Sequence, residues 1–364
     1  MKKVLLVTPY NLTKKEVGGA FTYQFCQRLS ETSMIDVILY QYEGDIIDNP
    51  NPERINIISS QTLGNIDRYL SWVQCPWYHP LFTSRFSRRM VKFIKRRIRE
   101  EKYDYLVFDY SQTFALARCI NHPHKLLVAH DVIYQRFERE KSKLLKWIKR
   151  SEGKLVEDAE KVYAFSDKDC RLVEELYGVE CDFTPVFIKK QILATKPTEC
   201  DNYHVFFADW GRQDNSESLE WFLDNVASYI KKTKFIVIGG GLSPYLKDKL
   251  SAYSNFEYLG FVDNPYPMIA NARSEICPLH TGAGIKVKCL EALACGTPVI
   301  GTEIAFEGID ASFRKYLFVA DETEQYIKLI TDTNFSVQEK QQIKEEFITG
   351  YGQKSIVNYI LTEK

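Results

Sequence analysis

The sequence has no excess of charge of either sign. Its 364 residues hold 48 Lys+Arg and 48 Asp+Glu, a balance that argues against nucleic acid as a partner. It also lacks any apolar run near the roughly 18 to 20 residues that a membrane-spanning helix needs. The opening MKKVLLVTPYNLTKKE has too short an apolar stretch for a secretory signal and no small-residue cleavage site. None of the nine cysteines forms a C-x-x-C pair, so neither a zinc site nor a disulfide framework fits, and reduced thiols are expected. Gly239-Gly240-Gly241 lacks the G-x-G-x-x-G spacing, which leaves a dinucleotide-dependent oxidoreductase weakly supported. No solenoid-type repeat is present. These absences lead to the expectation of a soluble, cytoplasmic protein.

What is present is a globular composition, 45% apolar and 26% charged, at a length that predicts two domains. Short apolar runs of the kind found in buried parallel strands alternate with helical patterns. In the first half these runs are Val4–Val7, Ile35–Tyr40, Tyr105–Phe108, Leu126–Ala129 and Val162–Phe165. The pattern restarts at His204–Phe207 and continues through Phe235–Ile238, Phe256–Leu259, Ile276–Leu279 and Pro298–Ile300. Strands alternating with helices predict an α/β protein with parallel sheets covered on both faces. The expected organisation is a Rossmann-like domain over 1–183, a linker over 184–202 and a second Rossmann-like domain over 203–335. Two C-terminal helices over 336–364 are expected to pack back toward the first domain. Ligands of such doubly wound sheets bind at the carboxyl ends of the strands, here facing a cleft between the domains.

The most informative stretch is PLHTGAGIKVKCLEALACGTPVIGT, Pro278 to Thr302. A strand ends, and a glycine loop carrying Lys286 and Lys288 runs straight into a helix stopped by Gly296. Backbone N–H groups at a helix start, with two lysines beside them, suit a diphosphate. Glu291, one turn further, is placed to accept hydrogen bonds from a ribose diol. The plainer reading is a surface loop with a solvated lysine pair and an exposed carboxylate.

With GFVD (Gly260 to Asp263) upstream, this stretch resembles the second half of the retaining glycosyltransferases of family 4, which have the two-domain GT-B fold. The resemblance is to the branch that reads G-x-G-x-K-x-K-x-x-E. FFADWGRQDNSESLEWF resembles that branch's F-V-G-S…PN…WF, with Asn215 at the Asn and Trp221-Phe222 at the WF. KFIVIGGGLSPYL resembles its strand and glycine loop. In the first half, AHDVIYQRFERE resembles HN-x-E…R-R with His130 and Arg139 in place, AFSDKD resembles V-S-x-x-D, and Gly18-Gly19 matches the glycine loop after the first strand. The likeness runs in one order along nearly the whole chain. It departs in two places: Ala283 stands where many members have the first Glu of E-x7-E, and Asp209 stands where a small or basic residue is usual, with Arg212 as a substitute cation.

The resemblance implies transfer of a sugar from a UDP- or GDP-sugar to a glycan or polyprenyl-linked acceptor. It further implies retention of configuration, no metal and no other cofactor, in surface polysaccharide or glycolipid synthesis. Lys286, Lys288 and Arg212 would neutralise the diphosphate, together with the Gly282, Gly284 and Ile285 loop. Glu291 would hold the ribose, Asn215 would belong to the donor site, and Gly240, Phe261 and Val262 would flank the base. Gly18 and Gly19 would let the first loop approach the phosphates, and His130 would contact the donor sugar. A nucleotide-sugar epimerase of the same fold and a non-catalytic nucleotide-sugar-binding member are the alternatives.

Other features have plainer readings. Asp167-Lys168-Asp169 is formally D-x-D but follows a strand and Ser166, which suits helix capping. His122-Pro123-His124 has no further ligand at metal spacing. Glu303 and Glu307 read as solvated loop residues. The segment Arg85 to Arg99 carries eight cations and no acid, and Lys141 to Arg150 carries five and no acid. In the first, Phe86, Met90, Phe93, Ile94 and Ile98 fall near one helical face, the form of an interfacial helix on anionic lipid. The alternative is a stripe facing its own domain. Trp72 to Phe82, just upstream, could add anchors or an acceptor-binding loop.

Overall fold

A computed structural model describes residues 1–13, 17–41, 44–62, 65–198, 201–351 and 356–362. The chain divides into two compact units, one of residues 1–187 with 354–364, the other of 188–353. The division after Phe187 falls inside the segment read above as a linker, and the C-terminal stretch is shared. The helix Val337–Gly350 packs in the second unit beside the helix Val287–Ala294, whereas Ile356–Thr362 packs in the first.

The described strands of the first unit are β1 (Lys2–Val7), β2 (Ser33–Gln41), β3 (Ile55–Thr62), β4 (Tyr105–Asp109), β5 (Lys125–Ala129), β6 (Lys161–Ala164) and β7 (Cys181–Phe183). They form one sheet in the order β3-β2-β1-β4-β5-β6-β7 with parallel pairing throughout. Val4 to Val7 are fully buried, because helices cover both faces of such a sheet. The second unit holds β8 (Tyr203–Phe207), β9 (Lys234–Ile238), β10 (Phe256–Gly260), β11 (Glu275–Cys277), β12 (Val299–Gly301) and β13 (Leu317–Val319). Their order is β10-β9-β8-β11-β12-β13, again parallel. Each order reverses direction once, between β1 and β4 and between β8 and β11. Two Rossmann-like doubly wound domains are therefore present, each with a topological switch point at which ligands bind.

The basic segment forms the helix Arg88–Glu100, capped by the Ser87 hydroxyl. Its apolar stripe is not offered to lipid. Phe86, Met90 and Ile94 are buried in the core of the first unit, and Phe93 and Ile98 pack against that core. The stripe faces inward because β2 and β4 supply apolar side chains for it to cover, Ile38, Leu106 and Phe108 among them. Arg97 adds an ion pair to the buried Asp36 at 3.2 Å, and Tyr103 donates to the same carboxylate at 2.5 Å. Of the aromatic stretch before it, Phe82 is buried and Trp77 is exposed. The D-x-D segment is a helix start, as read: the Ser166 hydroxyl accepts from the Asp169 amide at 3.0 Å.

Candidate active site

In the second unit the loops after β8, β9 and β11 meet at the carboxyl edge of the sheet. Glycine makes the first contact possible. At Gly239, φ is 125°, and a Cβ there would lie 1.7 Å from the Ala208 carbonyl oxygen; at Gly241 it would lie 2.5 Å from the Gly211 nitrogen. Only residues without a side chain allow this approach and this backbone conformation. Trp210 locks it, its amide donating to the Gly240 carbonyl at 2.9 Å and its indole to the Ile238 carbonyl at 3.0 Å. Gly240 lies beside Phe261, whose ring is 70% exposed at the end of β10. Val262 follows, half-buried.

Two helices begin at the switch point: Gln213–Asn225 after β8, with Arg212 as N-cap, and Val287–Ala294 after β11, with Lys286 as N-cap. Neither N-cap side chain bonds the helix start. Lys288 joins the two elements, its Nζ donating to Asn215 Oδ1 at 2.9 Å while the Asn215 amide donates to the Asp209 carbonyl at 2.8 Å. Lys286 is buried and bends back along its own loop, donating to the Gly284 carbonyl at 2.7 Å. Gly282, at φ 113°, and Gly284, at φ 69°, turn that loop, and Ile285 between loop and N-cap is half-buried. Gly282 sits close to Lys286 and to Asp214. Arg212 is exposed and holds Asp214 by two bonds, at 3.2 and 2.9 Å, so its charge is matched within the unit.

Glu291 is buried on the helix Val287–Ala294. Its Oε1 lies 3.2 Å from Lys189 Nζ and accepts from the Tyr266 hydroxyl at 3.3 Å; Lys189 also donates to that hydroxyl at 2.7 Å. Burial and the Glu291 carboxylate push the Tyr266 phenol up. Neither partner was expected, since nothing local in the sequence links three residues so far apart. Glu275, at the start of β11, was missed as well. It is fully buried with neither carboxyl oxygen hydrogen-bonded among the described residues. Burial first, then negative charge on the Cys277 sulfur, hold it well above the usual carboxylate range. His280 stacks edge-on against Trp221 at 4.4 Å, and burial lowers its pKa.

The first unit places His130 at its own switch point. His130 Nε2 lies 2.7 Å from Asp109 Oδ1, and the other Asp109 oxygen accepts from the Thr8 and Thr22 hydroxyls at 3.1 and 2.9 Å. The ring stacks on Tyr110 at 3.2 Å and meets Phe21 and Phe165 edge-on. Tyr110 itself adopts φ 62°, unusual for a bulky residue. Asp109 escaped the sequence reading, although its place at the end of β4, beside the strand reversal, would have pointed to it. Gly18 lies in the helix Val17–Leu29. Gly19 has a packing role: a Cβ there would come within 2.6 Å of the Asn11 carbonyl oxygen and of Thr13.

Lys286, Lys288, Asn215, Arg212, Gly240, Phe261 and the glycine loop thus gather at one edge of the second unit, with Glu291 in the same helix. Residues 202–332 match the family profile described as "Glycosyl transferases group 1". The matched stretch lies within the second unit and supports glycosyltransfer as its activity. Solved structures similar to the whole chain include sucrose-phosphate synthase from Thermosynechococcus elongatus, 12% identical over 99% of this chain and 97% of that one, TM-score 0.71. WaaG, described as a glycosyltransferase involved in lipopolysaccharide biosynthesis, is 16% identical over 95% of each chain, TM-score 0.63. HepE of Anabaena, solved with UDP-glucose, is 13% identical over 99% and 97%, TM-score 0.64. These likenesses establish the GT-B fold. No curated protein matches the sequence.

Proposed function

We propose that the protein transfers a sugar from a UDP- or GDP-sugar to a glycan or polyprenyl-linked acceptor, with retention and without a metal. The acceptor chemistry fits surface polysaccharide or glycolipid synthesis at the cytoplasmic face of a membrane. The observation that carries this reading is the pair of helix starts at the β8/β11 switch point, bridged by Lys288 and Asn215. Helix starts stabilise anions through their unpaired N–H groups and dipole, and Lys286 and Lys288 add two charges where the leaving diphosphate gains its own. To reach a phosphate, Lys286 exchanges its bond to the neutral Gly284 carbonyl for one to an anionic oxygen, in which both partners are charged. Glu291 takes the ribose diol, with Lys189 and Tyr266 holding its carboxylate in place. The exposed Phe261 ring covers the base beside Gly240, where no side chain intervenes. His130, oriented by Asp109, touches the donor sugar. UDP-glucose bound to HepE and the glycosyltransferase description of WaaG support a nucleotide-sugar donor.

The test is thermal-shift binding of UDP, GDP and ADP to the wild type and to Glu291→Ala. A ligand that binds only the native state raises its melting temperature in proportion to affinity and concentration. Stabilisation by one nucleotide, abolished by Glu291→Ala, is the expected outcome. If no nucleotide stabilises the wild type, the donor site is refuted.

A further inference from the structure

The helix Asn65–Gln74 is built with its apolar side outward. Ser71 is buried, as is Cys75 just after it, while Ile66, Tyr69, Leu70 and Val73 are 74%, 63%, 49% and 51% exposed. At about 100° per residue these four positions fall within an arc of about 100°, the width of stripe that a surface helix normally turns to its core. Trp77, in the turn that follows, is 65% exposed. Exposed apolar residues scattered singly need no explanation, but a contiguous group of this size marks an interaction site.

Cations flank the group on two sides. Gln74 Oε1 accepts from the Arg88 amide at 2.9 Å, which fastens the end of the apolar helix to the start of the basic one, where Arg88, Arg89 and Lys92 are exposed. On the other side the Trp147 indole donates to the Trp77 carbonyl at 3.4 Å. That contact brings up the start of the helix Leu145–Val156, where Lys146, Lys149 and Arg150 are exposed beside the exposed Leu144.

We propose that this surface of the first unit docks on an anionic lipid bilayer. Ile66, Leu70, Val73 and Trp77 enter the boundary between headgroups and acyl chains, and the two basic flanks lie on the headgroups. Charge decides between occupants. A second copy of the chain, paired through this patch about a two-fold axis, would set cations against cations. An anionic membrane satisfies both flanks at once and draws in the amphipathic rings of Tyr69 and Trp77. The inference deepens the membrane-peripheral part of the proposed function and moves the contact. The stripe expected to meet lipid, on Arg88–Glu100, is buried, and a neighbouring helix carries the exposed one. It rests on geometry within the first unit and not on the donor site.

Flotation of the full chain with vesicles tests it, comparing phosphatidylcholine alone with phosphatidylcholine containing phosphatidylglycerol. The wild type is expected to float with the anionic vesicles only and to be released by about 0.5 M salt, which screens the headgroup attraction. Leu70→Ser/Val73→Ser/Trp77→Ser and, separately, Lys146→Gln/Lys149→Gln/Arg150→Gln should each weaken partitioning at least about tenfold. All six residues are at least half-exposed or on the solvent side of their helices, and the charge variant keeps the test valid if the apolar one misfolds. Failure of the wild type to float, or flotation unchanged in both variants, overturns the proposal. So does a concentration-dependent dimer that the Trp77 variant abolishes, which would give the patch to a second copy. Nucleotide stabilisation, measured on the same samples, reads the donor site independently.

Discussion

Asp109 is a buried carboxylate whose two oxygens are shared among three donors: the His130 imidazole and the Thr8 and Thr22 hydroxyls. An amide in its place would keep the shape but offer two N–H donors to groups that themselves donate. Asp109→Asn is expected to cost about 1–3 kcal/mol of stability in urea unfolding, the penalty for mismatched buried hydrogen bonds. If Asp109 acts on the donor sugar only by orienting His130, the double variant Asp109→Asn/His130→Ala transfers sugar no more slowly than His130→Ala alone, each being about 100-fold below wild type. Nucleotide stabilisation is expected to stay at the wild-type value in all three variants, because the diphosphate and ribose contacts proposed above involve residues of the second unit. Rate losses that multiply in the double variant would show that Asp109 contributes by a separate route.

At the scale of the element, a helix start in the first unit depends on one distant carboxylate. Glu152, on the helix Leu145–Val156, accepts from the Ile133 and Tyr134 amides, both at 2.9 Å, and from the Tyr177 hydroxyl at 2.6 Å. It caps the helix Ile133–Arg139, which has no side-chain cap of its own. Burial pushes the Glu152 carboxyl up from 4.5 to about 7, outweighing the three hydrogen bonds that favour its charged form. A carboxyl whose folded-state pKa is raised binds its proton more tightly when folded. Its contribution is therefore fully present below about pH 4.5 and is lost as pH rises through about 7. The shift corresponds to at most about 3 kcal/mol. Glu152→Gln is expected to flatten the fall in urea-unfolding stability between pH 5 and 8, while lowering stability at pH 5 by about 1 kcal/mol through the amide left without an acceptor. An unchanged pH slope would show that Glu152 titrates normally.

Across the whole molecule, the sequence was most legible where burial is uniform. Val4–Val7 and Phe235–Ile238 are strands because residues buried on both faces must be apolar. Strand β3, INIISSQT, was not readable, being an edge strand with its far end exposed and polar. Nor was β13, whose three residues are too short for a period. The Pro278–Thr302 stretch pointed to a candidate site because loop, lysines and helix are contiguous there. Lys189, Tyr266 and Asp109 were silent because folding alone brings them to their partners. The same holds for the end of the chain, which returns to the first unit after 353. There Ile356, Val357 and Ile360 are buried, the Ile356 amide donates to the Thr184 hydroxyl at 3.2 Å, and Lys161 Nζ sits 4.9 Å from the Tyr359 ring centroid. At about 1.5 to 3 kcal/mol for each large buried side chain, three of them amount to about 4.5 to 9 kcal/mol, comparable to the whole stability of a domain. Ending the chain at Tyr351 should therefore lower the melting of the first unit by at least about 10 °C in calorimetry. The transition of the second unit, identified by its response to nucleotide, should stay in place, since its own helix Val337–Gly350 is retained. A first-unit transition that does not move would show that the returning helix adds no stability there.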